Sequence, residues 1–287
     1  MTMIRNILFP VDFSASCVAM GPFVKRAASI TSAKVTLLHV LEASASGFEF
    51  LVRPLPEIEK NREIVAREKL NSFLESDFPT RGSPRLLLIG DPATRIVEVA
   101  RERNFDLIIM PTHAGVFRKT LLGSTTAKAL NDADCPVLTT RHAERISPRQ
   151  LEHREWVCAI GLDADSERVL RYASQITEAV HANLTLVHVI SPSGSDLPVQ
   201  LDLQERLQSA EREAAVRRIK ELQSTAGSRA AVSVAVGPIK DMLIGAARRL
   251  QADVLVIGRS PRPGSLGRLR DLSYAVVRDA PCPVLSV

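Results

Sequence analysis

Short runs of Ile, Val and Leu alternate with longer stretches of helical periodicity along the 287-residue chain. That alternation is the signature of βαβ units built on a parallel sheet. In the N-terminal half the apolar runs predict strands near Ile4–Val11, Val35–Leu41, Arg85–Ile89, Leu107–Met110 and Val137–Thr140. The runs are continuous rather than alternating, as expected of strands covered on both faces. The intervening patterns predict helices near Ser16–Thr31, Glu57–Asp77, Ala93–Arg103 and Ser124–Asp132. Asp91-Pro92 is a good helix start, because Asp can cap the open amides and Pro fits the first turn without losing a hydrogen bond.

The pattern then repeats. Ile7-Leu8-Phe9-Pro10-Val11-Asp12 is echoed by Cys158-Ala159-Ile160-Gly161-Leu162-Asp163, and Leu37-Leu38-His39-Val40 by Leu186-Val187-His188-Val189. Asp106–Met110 returns as Asp253–Ile257, and Cys135-Pro136-Val137-Leu138 as Cys282-Pro283-Val284-Leu285. The four offsets are 151, 149, 147 and 147, so the elements keep their order and differ by a few loop deletions. The expected architecture is therefore α/β: two tandem doubly wound domains, at 1–142 and 153–287, each a five-stranded parallel sheet of order 3-2-1-4-5. The polar stretch Arg141–Glu155, with Pro148 inside it, is the expected linker.

Composition changes this picture little. The chain is 45% hydrophobic and 24% charged, a normal balance for a globular protein. Its net charge of +5 is spread thinly: 19 basic and 16 acidic residues up to Arg145, 18 and 16 beyond. A nucleic-acid footprint would be concentrated on a patch or stripe, and 4% aromatic content gives few stacking platforms. No nucleic-acid partner is expected. The opening MTMIRNILFPVDF does not read as a secretory signal, because its apolar stretch breaks at Pro10 and Asp12, and no run approaches bilayer-spanning length. No membrane partner and a cytoplasmic location are the expectations. Cys17, Cys135, Cys158 and Cys282 form no Cys-x-x-Cys pair and have no His at metal-ligand spacing, so neither zinc nor disulfides are expected.

In doubly wound sheets the ligand crevice lies at the carboxyl ends of the strands, where the strand order reverses. That directs attention to the residues after strands one and four. Gly123-Ser124-Thr125-Thr126 opens a helix with unbonded amides, hydroxyls and the positive end of the helix dipole, a good phosphate site. Asp12 ends a buried strand in a position that needs a partner, and can accept from an adenine amino group or a ribose hydroxyl.

Taken together, Ile-Leu-Phe-Pro-Val-Asp-Phe-Ser, Leu-Leu-His-Val, Met-Pro-Thr-His-Ala-Gly…Leu-Leu-Gly-Ser and Cys-Pro-Val-Leu resemble the universal stress protein family, across nearly the whole chain and twice over. ATP-binding members of that family carry Gly-x-x-Gly, nine residues, then Gly-Ser or Gly-Thr. The resemblance implies ATP, with or without magnesium, as the ligand. It implies that Pro10, Val11, Asp12 and Val40 hold adenine and ribose. Gly123 and Ser124, with Thr125 close by, would hold the phosphates, and Met110 and Gly115 would border the site; His113, in the same loop, could touch ribose or phosphate or simply hold the loop. The first copy departs from the pattern at Pro111, which replaces the first glycine and removes an amide donor, and its loop to Gly123 is one residue short. The resemblance also implies that domains pair through their last strands, giving an intramolecular pseudo-dimer or a homodimer of tandem chains.

The second copy departs further. Asp163 is aligned with Asp12 and Gly258 with the first glycine, but Arg270-Asp271 stands where Gly-Ser should open the helix. An Asp capping that helix would repel a phosphate, so this site is expected to be degenerate. His39 and His188 fall inside apolar strands with no second ligand at metal spacing, and read as satisfied core or strand-end residues. Ser14 and Ser16 read as helix caps. Two further functions compete with a nucleotide-binding regulator. One is an interaction protein that binds no nucleotide, which Pro111 favours. The other is an adenylating or nucleotidyl-transferring enzyme, disfavoured by the lack of a P-loop, Ser-Gly-Gly-x-Asp-Ser loop or His-x-Gly-His pair. No catalytic residue is expected, and any ATP hydrolysis would be slow.

Overall fold

Ile7, Leu8 and Phe9 are wholly buried, as the continuous apolar run predicts for a strand sandwiched between helices. Each contributes about 1.5–3 kcal/mol by leaving water. The computed structural model describes residues 4–42, 56–112, 123–141, 143–191, 201–259 and 266–287, the side chains of 56, 201–205 and 266–271 excepted. The chain divides into two units, Ile4–Ile146 and Ser147–Val287.

The N-terminal unit runs β1 (Asn6–Pro10), α1 (Ala15–Thr31), β2 (Lys34–Leu41), α2 (Pro56–Ser72), β3 (Arg85–Ile89), α3 (Pro92–Glu102), β4 (Leu107–Pro111), α4 (Ser124–Asp132) and β5 (Val137–Thr140). Its strands lie in the order β3-β2-β1-β4-β5, all parallel. The C-terminal unit runs β6 (Glu155–Ala159), α5 (Ser166–Ala179), β7 (Asn183–Ile190), α6 (Leu201–Ala226), β8 (Ala231–Val236), α7 (Ile239–Arg249), β9 (Val254–Ile257), α8 (Leu266–Asp279) and β10 (Val284–Ser286). Its order is β8-β7-β6-β9-β10, again parallel, so each unit has the expected doubly wound topology.

Two devices hold both sheets in register. Asp106 Oδ2 accepts the amides of Arg5 and Asn6 at 2.8 and 2.9 Å, tying the start of β4 to the start of β1. Asp253 Oδ2 does the same for Arg154 and Glu155, at the same distances. Asp253 is wholly buried, and its other oxygen pairs with Arg149 at 3.0 Å. A buried carboxylate is tolerated only when so neutralised.

The segment expected to be a linker is built into its neighbours. Ala143–Arg145 forms a 3-10 turn packed on α1. Arg149 donates to the Gln251 carbonyl, and Ser147 and Gln150 cap one another. The predicted α2 ends early, at Ser72 rather than Asp77. The buried Arg85 guanidinium takes the carbonyls of Leu70 and Phe73, closing the helix from thirteen or so residues away.

Candidate functional site

β1 pairs with β2 on one side and β4 on the other, so the strand order reverses at β1 and the crevice opens above the carboxyl ends of β1 and β4. Pro10, Val11, Val40 and Met110 are buried there in or beside strands. Val11 donates to the Leu38 carbonyl at 2.8 Å, and its own carbonyl lies 2.8 Å from His39 Nδ1. A carbonyl only accepts, so Nδ1 carries the proton. The C-terminal unit repeats this with Ile160 and His188, also at 2.8 Å. These histidines lock the exit from the first strand, in keeping with the strand-end reading.

The next residues turn from strand to helix. Phe13 holds a left-handed conformation (φ 65°), which is strained for a bulky side chain. Its ring packs against His39 at 4.2 Å and Phe73 at 5.3 Å, with Lys69 Nζ 4.8 Å from its centroid. Leu162 adopts the same conformation (φ 61°). The strain therefore belongs to the strand-to-helix turn rather than to a ligand.

Asp12 is exposed, and its carboxylate is engaged by the turn that follows it. Oδ1 accepts the Ser14 amide at 2.9 Å and the Cys17 thiol at 3.1 Å. Ser14 caps α1 by accepting the Cys17 amide, as expected. Burial first, and then the Asp12 charge, push the Cys17 thiol up to about 12, so it remains a proton donor.

α4 begins as expected at Ser124. Its cap, Gly123, has extended backbone and makes no side-chain capping bond. α1 and α3, by contrast, are capped by Ser14 and Asp91 oxygens. The first-turn amides of α4 thus lack the side-chain acceptor that the other two helices carry. Ser124 is exposed and Thr125 half-buried. His113 and Gly115 lie outside the described residues.

Thr112 was not singled out from sequence, where it is one polar residue in a loop. It follows β4 directly, is 5% exposed, and its amide bonds the Thr140 carbonyl at 2.8 Å. Its Oγ1 is buried with no hydrogen-bond partner among the described residues. An orphaned hydroxyl at this edge is the kind of group a ligand satisfies.

The C-terminal unit corrects two expectations. Strand pairing and the left-handed residues set its first three elements 149 positions on: Asn6 corresponds to Glu155, Lys34 to Asn183 and Phe13 to Leu162. The counterpart of Asp12 is thus Gly161, not Asp163; Asp163 corresponds to Ser14 and Ser166 to Cys17. The Asp163 carboxylate folds back so that Oδ2 lies 3.2 Å from where a Gly161 side chain would begin, and Oδ1 accepts from Ser166 Oγ at 2.9 Å. Nor does Asp271 cap a helix. α8 starts at Leu266, which puts Asp271 in its second turn. Leu and Arg are good helix formers, and they carry the helix more than a turn further than Gly123 allows in α4.

The crevice is also filled differently. Arg168, whose counterpart is Ala19, donates to the carbonyls of Arg259 and Val287 at the ends of β9 and β10. A side chain at Gly258 would begin 3.0 Å from Val169 Cγ2.

Among the described residues no helix is long and apolar enough to cross a membrane, and no group of three or more His, Cys, Asp or Glu could hold a metal ion. Over its full length the chain resembles a universal stress protein structure from Archaeoglobus fulgidus, at 18% identity, covering 99% of this chain and 96% of that one with TM-score 0.73. A functionally unknown protein from Pseudomonas aeruginosa is similar at 20% identity, covering 100% and 93%, with TM-score 0.64. Among curated proteins, a universal stress protein of Thermus aquaticus is 30% identical over 143 residues, which is 48% of this chain and 100% of the relative. Universal stress protein MJ0577 of Methanocaldococcus jannaschii is 25% identical over 158 residues, 48% of this chain and 96% of the relative. The universal stress protein family model matches residues 3–141 and again 154–287, so the chain belongs to that family and carries its domain twice.

Proposed function

We propose that the N-terminal unit binds an adenine nucleotide, ATP with or without magnesium, and that the chain acts as a nucleotide-responsive regulatory protein rather than an enzyme. The observation that carries this reading is the paired demand at one end of the sheet. α4 presents amides beyond a bare Gly123 cap, and β4 leads into Thr112, whose buried hydroxyl has no partner among the described residues. Backbone amides at a helix N-terminus suit phosphate. Asp12, on the β1 side of the same crevice, supplies an acceptor for base or ribose. Pro10, Val11, Val40 and Met110 supply apolar walls, and Ser124 and Thr125 hydroxyls join the phosphate set.

A second reading, an interaction protein that binds no nucleotide, draws on Pro111. It pairs within β4 opposite Thr140 and offers no amide. Differential scanning calorimetry separates the two. A ligand that binds only the folded state stabilises it by about 2.7 kcal/mol at one hundred times its Kd. Millimolar ATP should raise the melting temperature of the wild type, and that of Asp12→Ala clearly less. No shift in either protein would overturn the nucleotide reading.

A further inference from the structure

We propose that Cys17 is the positioning residue of the Asp12 carboxylate, so that its thiol sets the affinity of the nucleotide site without touching the nucleotide. This rests on the reading that Asp12 faces the ligand. A carboxylate on an exposed turn has rotamers to spare, and one that accepts from a ligand must be held before the ligand arrives. Among the bonds of the described residues, two donors meet on one Asp12 oxygen. The Ser14 amide belongs to the turn itself, while the thiol comes from the first turn of α1, where Cys17 is buried. A related contact appears in the C-terminal unit, where Ser166, the counterpart of Cys17, is buried and donates its hydroxyl to Asp163, which stands at the position of Ser14 rather than Asp12. Two units with different carboxylates thus keep the same donor position. A hydroxyl and a thiol are interchangeable there because each gives one proton to one oxygen, the hydroxyl more strongly. Burial keeps Cys17 protonated, as the interaction requires; a thiolate would repel Asp12.

The test is a double-mutant cycle read by isothermal titration with ATP, using the full chain. Cys17→Ala should weaken ATP binding about five- to tenfold, the worth of one ordinary hydrogen bond, because a thiol is a weak donor even to a carboxylate. Cys17→Ser should bind at least as tightly as wild type. In an Asp12→Ala background, Cys17→Ala should change the Kd by less than twofold, because there is no carboxylate left to hold. Calorimetric melting of each variant reads stability separately, so a loss of stability with unchanged Kd is visible as such. Equal ATP affinity in wild type and Cys17→Ala would overturn the proposal alone, as would losses that simply multiply in the double mutant. Failure of the wild type to bind ATP would overturn the nucleotide reading and this proposal with it.

Discussion

Both units leave their first strand through a left-handed residue, Phe13 or Leu162, and both pin that exit with a histidine from the second strand. The residue before the turn is Asp12 in one and Gly161 in the other. The helix that follows the fourth strand starts on a bare glycine cap in one, and more than a turn earlier in the other. The shared features are those the sheet needs to fold. The differing ones lie at its carboxyl ends, where a ligand would sit. A duplicated scaffold has kept its architecture in both copies and its candidate chemistry in one.

The largest expected difference concerns Asp106 and Asp253, which tie the fourth strand of each unit to the first. Asp253→Ala removes the acceptor of two main-chain amides and leaves Arg149 without its carboxylate, and should cost the C-terminal unit about 3–5 kcal/mol. Asp106→Ala loses the same two acceptors at a half-buried site, and should cost the N-terminal unit about 2–3 kcal/mol. Trp156, the chain's one tryptophan, and both tyrosines, Tyr172 and Tyr274, lie in the C-terminal unit. Urea unfolding followed by fluorescence therefore reads that unit, while circular dichroism reads both. A larger loss for Asp106→Ala would break the comparison.

Much of the fold was legible because strands buried on both faces leave continuous apolar runs, and because the repeat displayed them twice. Ser124 as the first residue of α4 was legible for a local reason, the Gly-Ser-Thr-Thr start. What escaped was set by partners distant in sequence. α2 ends where Arg85 takes its carbonyls, which no residue within the helix announces. Asp163 shares a residue type with Asp12 and so attracted the alignment, but main-chain pairing, invisible in residue identity, assigns that position to Gly161. Cys17 carries no disulfide or metal spacing to mark it, and its bond to Asp12 depends on a turn geometry the sequence does not spell out. Thr112 becomes distinctive only once its hydroxyl is seen to be buried without a partner.

Alkaline pH offers a smaller effect. Burial, which for Cys17 and Cys282 acts together with a neighbouring carboxylate, pushes the thiols of Cys17, Cys158 and Cys282 up to about 12 from an ordinary 9.0. Between those values the unfolded chain has lost the proton and the folded chain keeps it, so stability falls as pH rises. Each thiol contributes a slope of up to about 1.4 kcal/mol per pH unit, and none below pH 9. Cys158→Ala and Cys282→Ala should flatten the fluorescence-detected decline between pH 9 and 10.5, while Cys17→Ser should leave that signal unchanged. An undiminished decline in the double variant would remove the thiols as its cause.

The smallest effect is at Pro111. Pro111→Gly restores an amide at the end of β4 and should tighten ATP binding two- to fivefold, at a stability cost of about 1 kcal/mol from the freer unfolded chain. Gly258→Pro in the other unit, where an added side chain would begin 3.0 Å from Val169 Cγ2, should destabilise without any change in ATP affinity. Equal ATP affinity in wild type and Pro111→Gly would show that no phosphate contact is missing there.

The central claim is one nucleotide site per chain, in the N-terminal unit. Isothermal titration with ATP on the wild type and on Ser124→Glu tests it most directly. A carboxylate in the first turn of α4 suits the helix dipole and so spares stability, yet repels phosphate. One ATP should bind per wild-type chain, with at least about a hundredfold loss in Ser124→Glu and its melting temperature retained. Two equivalents per chain, or undiminished binding in Ser124→Glu, would contradict the claim.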